Sequence, residues 1–440
     1  MSRGRLSELV EFNPKRPLKK ESLAPFVDMA SLPESSRDIS SVSKREFKGG
    51  GARFIDGDTL FARITPCLEN GKTAKVSGLG HGVVGHGSTE FIVMAAKDPT
   101  VDEDFIYYLA RTPEFRAYAQ ARMEGTSGRQ RVSWQSLSDF ELEIPDANVR
   151  KLAGDILRAF DDKIQVNRKI NETLEKVAQA IFKSWFVDFE PVKARMATLE
   201  AGGSEEDSVR AAMQSIAGKT NDQLARLQVD LPKQHADLRA IAQLFPSAIK
   251  NSELGDIPEG WQVTTFGEVS TCMDKHRIPL SKIQREKKKG SIPYFGATSI
   301  MDYVDEYIFD GVYLLIGEDG SVLKESGAPF TQYVWGKMWV NNHAHVIQGV
   351  SPVSTEQLLL FIKNKNIAPY VTGAVQLKLN QKNMNSIPFI RAGRGVCEAF
   401  DEIAKPIFEE IRNRYDESYV LARTRDSLLP QILSGVRVFK

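Results

Sequence analysis

The sequence predicts an α+β chain built as an internal repeat: two similar β-rich globules, each followed by a long helix. Three observations carry this. Near Phe160 the pattern becomes helical, with Phe160, Ile164, Asn167, Asn171, Leu174, Ala178, Ile181 and Trp185 following alternating steps of four and three, a seam of seven-residue period. The seam returns as Ala404, Phe408, Ile411, Tyr415, Ser418, Ala422, Arg425, Leu429 and Ile432, with Phe160 falling on Ile411 and Ile181 on Ile432, a constant separation of 251 residues (411 − 160). The segments before the helices also correspond, at nearby separations that differ as loop insertions require.

Taken in chain order, GRLSELVEF at the start matches TTFGEVSTC in character. FIDGDTLFAR resembles YIFDGVYLLIG with Gly57 on Gly311, TEFIVM aligns with AHVIQG, and SGRQRVSWQSLSDFELEIP parallels TGAVQLKLNQKNMNSIPFI. Short apolar or alternating runs flanked by glycine predict strands at 59–64, 90–95, 313–316 and 345–347. Residues 104–122 and 355–363 read as short helices packed on such sheets. The stretch from Val187 to Lys250 has no counterpart and reads as an insertion in the linker, partly helical and partly mobile. The expected divisions are 1–149, first globule; 150–190, central helix; 191–250, insertion; 251–392, second globule; and 393–440, C-terminal helix.

At 440 residues the chain exceeds one ordinary core, and 42% hydrophobic with 26% charged residues describes a folded protein. Lys plus Arg number 58 against 57 Asp plus Glu, so a nucleic-acid binder must concentrate its positive charge in patches. Cys67, Cys272 and Cys397 are too far apart in sequence for a CxxC pair. No run approaches eighteen apolar residues and MSRGRLSELVEF has no signal-like apolar stretch, so a cytoplasmic protein is expected.

Catalytic motifs fail a second test. GHGVVG fits GxGxxG, yet it leads into turn and strand rather than a helix N-terminus, and reads as a hairpin. GKT at Gly71 and at Gly218 lacks the earlier glycine of a phosphate loop, those positions holding Pro66 and Met213. His343 and His345 share a strand face, but no acidic or cysteine cluster stands beside them in sequence to complete a metal set. There is no GxSxG, and no Pro-Pro pair of the kind a base-amino methyltransferase carries in its target loop.

Local positive charge remains. From Met273 to Lys289, Lys275, Arg277, Lys282, Arg285, Lys287, Lys288 and Lys289 outnumber Asp274 and Glu286; from Arg111 to Arg131, five arginines face Glu114 and Glu124. Each cluster alone is equally a solvated face, but one in each half of a duplicated chain points to phosphate neutralisation. The candidate DNA contacts are Arg63, Lys72, Arg122, Arg129, Gln130 and Arg131 in the first globule. In the second they are Lys275, Arg277, Lys282, Arg285, Lys287, Lys288, Tyr333, Asn341, Asn342, Gln376 and Lys378. The helix seam is carried by Phe160, Ile164, Asn167, Leu174, Ile181, Phe408, Ile411, Tyr415, Leu429 and Ile432. Asn167, Asn171 and Arg425 stand at core-like positions where polar groups fix register. Pro406 is expected in the first turn of its helix and Pro430 at a kink near the end.

In LSELVEFNPKRPL, DGDTLFARITPCLENGK, TSGRQRVSW before LEIP, the helix ending FKSWFVDFEPV, SELGDIPEGW and RTRDSLLPQILSG, the chain resembles the specificity subunits of type I restriction–modification enzymes over nearly its whole length. The resemblance implies two target-recognition domains separated by two long antiparallel, coiled-coil-like helices in a pseudo-twofold repeat. Each domain would read half of an asymmetric, split site on double-stranded DNA. Two methyltransferase subunits would dock on the framework and motor-nuclease restriction subunits join them. The subunit itself would be non-catalytic and hold no cofactor, S-adenosylmethionine and ATP belonging to its partners. About 33 helical residues from Leu152 to Ser184 would span roughly 50 Å and set the unread spacer. The competing readings are a duplicated protein-assembly scaffold without DNA specificity and a stand-alone nucleotide-using enzyme, the latter lacking a phosphate site.

Overall fold

The computed structural model describes residues 2–126, 128–373 and 375–434 and divides into two units. Ser127 of SGRQR, Ala374 of TGAVQL and residues 435–440 of the terminal segment lie outside the described residues. One unit comprises residues 1–169 and 414–440, the other 170–413, so the division falls inside both long helices rather than at their ends.

Strict alternation builds the first unit. Leu60 and Ala62 of strand Thr59–Ala62, with Phe91 and Val93 of strand Phe91–Ala96, face one core; Phe61, Ile92 and Met94 face another. Strands apolar on both faces must be covered twice. The antiparallel sheet Val10–Phe12, Phe91–Ala96, Thr59–Ala62, Thr73–Lys75 is backed on one side by a second sheet containing Leu23–Val27 and Ala52–Phe54. On the other side Phe105 and Tyr108 of helix Pro99–Arg111 pack with Ala153, Leu157, Leu429 and Ile432 of the long helices. The helix expected over 104–122 is two helices, because Thr112 ends the first and caps Pro113–Gln120.

The second unit repeats this pairing order. Ser270–Cys272, Ala344–Gly349, Phe309–Gly317 and Thr331–Val340 stand in sequence, extended by Lys289–Phe295 and Ile300–Val304 to six strands. Ala62 pairs with Phe91 as Gly317 pairs with Ala344, and Phe12 with Met94 as Cys272 with Ile347. The opening alignment therefore holds, while two others need correction. Gly311 corresponds to Asp56 rather than Gly57, and Ala344 to Phe91 rather than Thr89. Matching by glycine and apolar character cannot fix a register that hydrogen bonding decides.

Each long helix has 40 residues, Ala147–Phe186 and Arg394–Leu433. Ala153, Leu157, Asp161, Phe182 and Trp185 correspond in burial to Phe400, Ala404, Phe408, Leu429 and Ile432, a separation of 247 residues (400 − 153) instead of 251. A slip of four is about one helical turn and leaves the stripe nearly in place, so periodicity alone could not detect it. The seam residues Phe408, Ile411, Leu429 and Ile432 are buried, and Phe160, Ile164, Leu174 and Ile181 half-buried. Tyr415 is 49% exposed and leaves the seam, since it corresponds to the outward Arg168. In the first unit Asp161 meets Arg425, and Asn167 donates to Glu417 (2.7 Å) and Ser418 (3.3 Å). In the second, Asn171 donates to the Ile411 carbonyl (3.1 Å) and Ala178 shares a core with Phe408. Both sets run antiparallel. Pro406 lies in the helix interior, not its first turn, and removes the amide that would bond the Glu402 carbonyl.

The insertion expected to be partly helical is helical through Glu190–Glu200, Glu205–Ala217, Asn221–Asp230 and Pro232–Gln243. Capping boxes at Ser204 and Thr220 start two of these helices, and Val209, Ala212, Met213, Leu224 and Ala242 form their own core. Among the described residues no helix is long and apolar enough to cross a membrane.

Candidate nucleic-acid interface

In the first unit the candidate residues converge on a hairpin. Glu124 and Arg131 exchange amide–carbonyl bonds of 2.9 Å, Thr65 donates its amide to the Gln130 carbonyl (3.1 Å), and Val132 donates to the Arg63 carbonyl (3.0 Å). The Arg131 guanidinium forks onto Glu90, with Nε at 2.9 Å and a terminal nitrogen at 2.7 Å. That hydrogen bond, with the charges of Arg131 and Arg63, holds the Glu90 carboxyl below its usual range. Arg63 is half-buried with its Nε unpartnered. Lys72 is committed to the Met29 carbonyl (3.0 Å), and the exposed Arg122 lies over the Tyr118 ring at 3.4 Å. Gln130 is half-buried, whereas Arg129 is exposed and its guanidinium has no partner among the described residues.

The basic run of the second unit divides in two. Arg277, 11% exposed, is held by Glu318 (2.8 Å), Asp274 (3.2 Å) and the Ala344 carbonyl (2.6 Å). Arg285 is held by Asp302 (3.1 Å) and the Leu280 carbonyl (2.8 Å), and Lys288 by Glu306 (2.6 Å). Tyr333 donates to Glu356 (2.6 Å) and accepts from Arg412 (2.5 Å) beside Phe408, while Asn341, 3% exposed, accepts the His343 amide (2.8 Å). Arg277, Arg285, Tyr333 and Asn341 are thus tied into the scaffold instead of being offered to a ligand. Lys275, Lys282, Lys287, Lys289, Asn342 and Gln376 are exposed, and Lys378 is half-exposed with its amine 3.3 Å from Glu318. Sequence reasoning counted these cations but missed the acids that claim some of them. Asp302 and Glu306 sit just downstream of the run; Glu318 lies farther on, just past strand Phe309–Gly317.

The metal test also changes. Pairing of Ser270–Cys272 with Ala344–Gly349 brings Cys272 and Asp274 beside His345, their ligand atoms all within 4.8 Å of one another, a grouping invisible in linear sequence. The residues do not fit a metal. His345 already spends both nitrogens, Nδ1 on Asp274 (2.5 Å) and Nε2 donating to the Leu379 carbonyl (2.7 Å). Burial first, then Asp274, pushes the Cys272 thiol up to about 12. Burial alone would raise Asp274, but His345, the Val346 amide and Arg277 outweigh it and hold the carboxyl below its usual range. The group is a hydrogen-bonded charge lock under the segment leading from Lys378 to Leu379.

A repeated α+β unit with exposed cations beside a locked hairpin defines the class, a duplicated binding protein. Residues 5–176 and 258–390 match the family model described as type I restriction modification DNA specificity domain, more than half of the chain, and the chain belongs to that family. It is a DNA-recognition specificity subunit of a type I restriction–modification system, the non-catalytic member of such complexes. It is 29% identical over 432 residues to the type I restriction enzyme HindI specificity subunit of Haemophilus influenzae, covering 90% of both chains. It is 24% identical over 361 residues to the MjaIX specificity subunit of Methanocaldococcus jannaschii, covering 77% of this chain and 70% of that one. The crystal structure of the type I restriction–modification S subunit from M. genitalium shares the fold at a TM-score of 0.50 and 13% identity, covering 98% of this chain and 95% of the other.

Proposed function

We propose that each unit reads one half of a bipartite, asymmetric site on double-stranded DNA, and that the long helices set the unread spacer and dock two methyltransferase subunits. Restriction subunits join the same complex in the cytoplasm, and S-adenosylmethionine and ATP are held by the partners rather than by this chain. One observation carries the reading: the four-strand pairing order occurs twice, while the exposed side chains at equivalent positions differ. One framework with two different sets of contacts suits two unlike half-sites.

The test is co-expression with a type I methyltransferase subunit, followed by methylation mapping. The expected result is two short motifs separated by a fixed unread spacer; a single continuous motif overturns it. Four helical residues inserted near Leu174 lengthen the central helix by roughly 6 Å and the spacer by about two base pairs. An unchanged spacer in that variant removes the ruler.

A further inference from the structure

We propose that Arg129 and Gln376 are equivalent base-reading residues, one in each unit, with Arg129 recognising a guanine edge and Gln376 an adenine edge. The proposal rests on the preceding reading that both units contact DNA.

Backbone pairing establishes the equivalence. Arg131 bridges Glu124 and Ile64, and Lys378 bridges Thr372 and Asp319. Thr372 and Lys378 exchange amide–carbonyl bonds of 2.8 Å just as Glu124 and Arg131 do. The Val132 amide bonds the Arg63 carbonyl, and the Leu379 amide bonds that of Glu318. The first loop encloses six residues and the second five; counted back from the shared position of Arg131 and Lys378, Arg129 falls on Gln376.

Both hairpins are clamped at the base and open at the tip. Arg131 is spent on Glu90, and Lys378 lies against Glu318. The side chains of Arg129 and Gln376 are exposed, and neither finds a partner among the described residues. Both have planar ends that pair bidentately with base edges, arginine with guanine O6/N7 and glutamine, like asparagine, with adenine N6/N7. A rigid base beneath a free planar tip holds such a group at low ordering cost. In the second unit the tip is flanked by Val375, wholly exposed, and Leu377, 37% exposed. Apolar neighbours suit contact with base edges and thymine methyls better than contact with phosphate.

The test uses the complex with methyltransferase subunits, combining methylation mapping with filter-binding titrations against salt. Arg129→Ala should relax one G·C position in one half-site, lowering discrimination there about 10- to 100-fold, with the other half unchanged. Gln376→Ala should do the same at one A·T position of the other half. Arg129→Lys, which keeps the charge but loses the fork, should also lose guanine discrimination. The proposal is overturned if Arg129→Lys retains the site, or if Arg129→Ala weakens all sequences alike and flattens the salt slope by about 0.9, as a phosphate contact would. A two-part wild-type motif unaltered by either alanine variant overturns this proposal alone; a wild-type complex with no two-part motif overturns the preceding reading with it.

Discussion

Asp161 in the first unit and Phe408 in the second occupy the same repeat position, as do Arg425 and Ala178, and all four are buried. In the first unit Asp161 bonds Arg425 and accepts from the Tyr108 hydroxyl (2.5 Å), and Arg425 reaches Asp426 (2.9 Å). In the second, Phe408 packs near Tyr333, ring centroids 5.1 Å apart, in the core that holds Ala178. The repeat therefore conserves where the helices are buried, not the physics that makes burial favourable. A fully satisfied ion pair and a well-packed apolar contact are interchangeable solutions, but they fail differently.

That difference yields the largest expected effects. Asp161→Ala strands the Arg425 charge and should cost about 3–5 kcal/mol in urea unfolding. Phe408→Ala opens a cavity and should cost a similar 3–5 kcal/mol. The sharper experiment imports one solution into the other unit. Tyr108→Phe, Asp161→Phe and Arg425→Ala combined should be neutral or stabilising by about 1–4 kcal/mol, as when hydrophobic residues replace a buried ion pair. A triple variant as unstable as Asp161→Ala would show that the two positions are not equivalent.

A second contrast lies at Cys272, which occupies the position of Phe12 in the other unit. Phe12 stacks on Trp134, ring centroids 6.2 Å apart, whereas the Cys272 thiol is pushed up to about 12 by burial and by Asp274. Cys397 is pushed up to about 12 by burial and then by Asp401. At pH 8 both should react with iodoacetamide on the order of 10³-fold more slowly than in the unfolded chain, where a thiol titrates near 8.5. Rapid labelling of native Cys272, followed by mass spectrometry, would refute the charge lock around it.

The basic run tests whether cations free of protein partners make the DNA contacts. Lys287 and Lys289 are exposed while Lys288 is bound by Glu306, so replacing all three by alanine should reduce the salt slope of DNA binding by about two rather than three. The recognised sequence should not change. A loss of three would mean that DNA displaces Glu306.

These contrasts show what the sequence could reveal. The duplication, the strands and the long helices were legible because apolar periodicity is a local signal. The spacing error of one helical turn and the misplacement of Tyr415 share one origin: a seven-residue stripe does not know where its helix starts, and the strand register preceding it does. The cationic clusters were legible by counting. Arg277 could not be recognised as structural, because its partner Glu318 arrives from just past another strand, 41 residues away, and the Cys272–Asp274–His345 group exists only once two strands pair. Charge composition announces a patch; only pairing reveals which cations are already used.

The smallest expected effect concerns the hairpin clamps, where the charge pattern is inverted between units. Glu318 stands where the first unit has Arg63, and His343 where it has Glu90. The first clamp depends on the half-buried Glu90 carboxylate held low by Arg131, while beside the Lys378–Glu318 contact of the second lies Asp274, held low against its own burial by His345. A carboxyl with a lowered folded value contributes stability above its unfolded value and loses it as pH falls through the folded one. Both clamps should therefore be fully engaged at neutral pH and release only below the ordinary carboxylate range. Glu90→Gln should destabilise slightly at pH 7, with the difference from the unaltered chain vanishing in acid; thermal melts from pH 7 to 3 measure it. A gap that stays constant as the pH falls from 7 to 3 would assign Glu90 a packing role and leave Arg131 without its charge partner as the reason the hairpin holds.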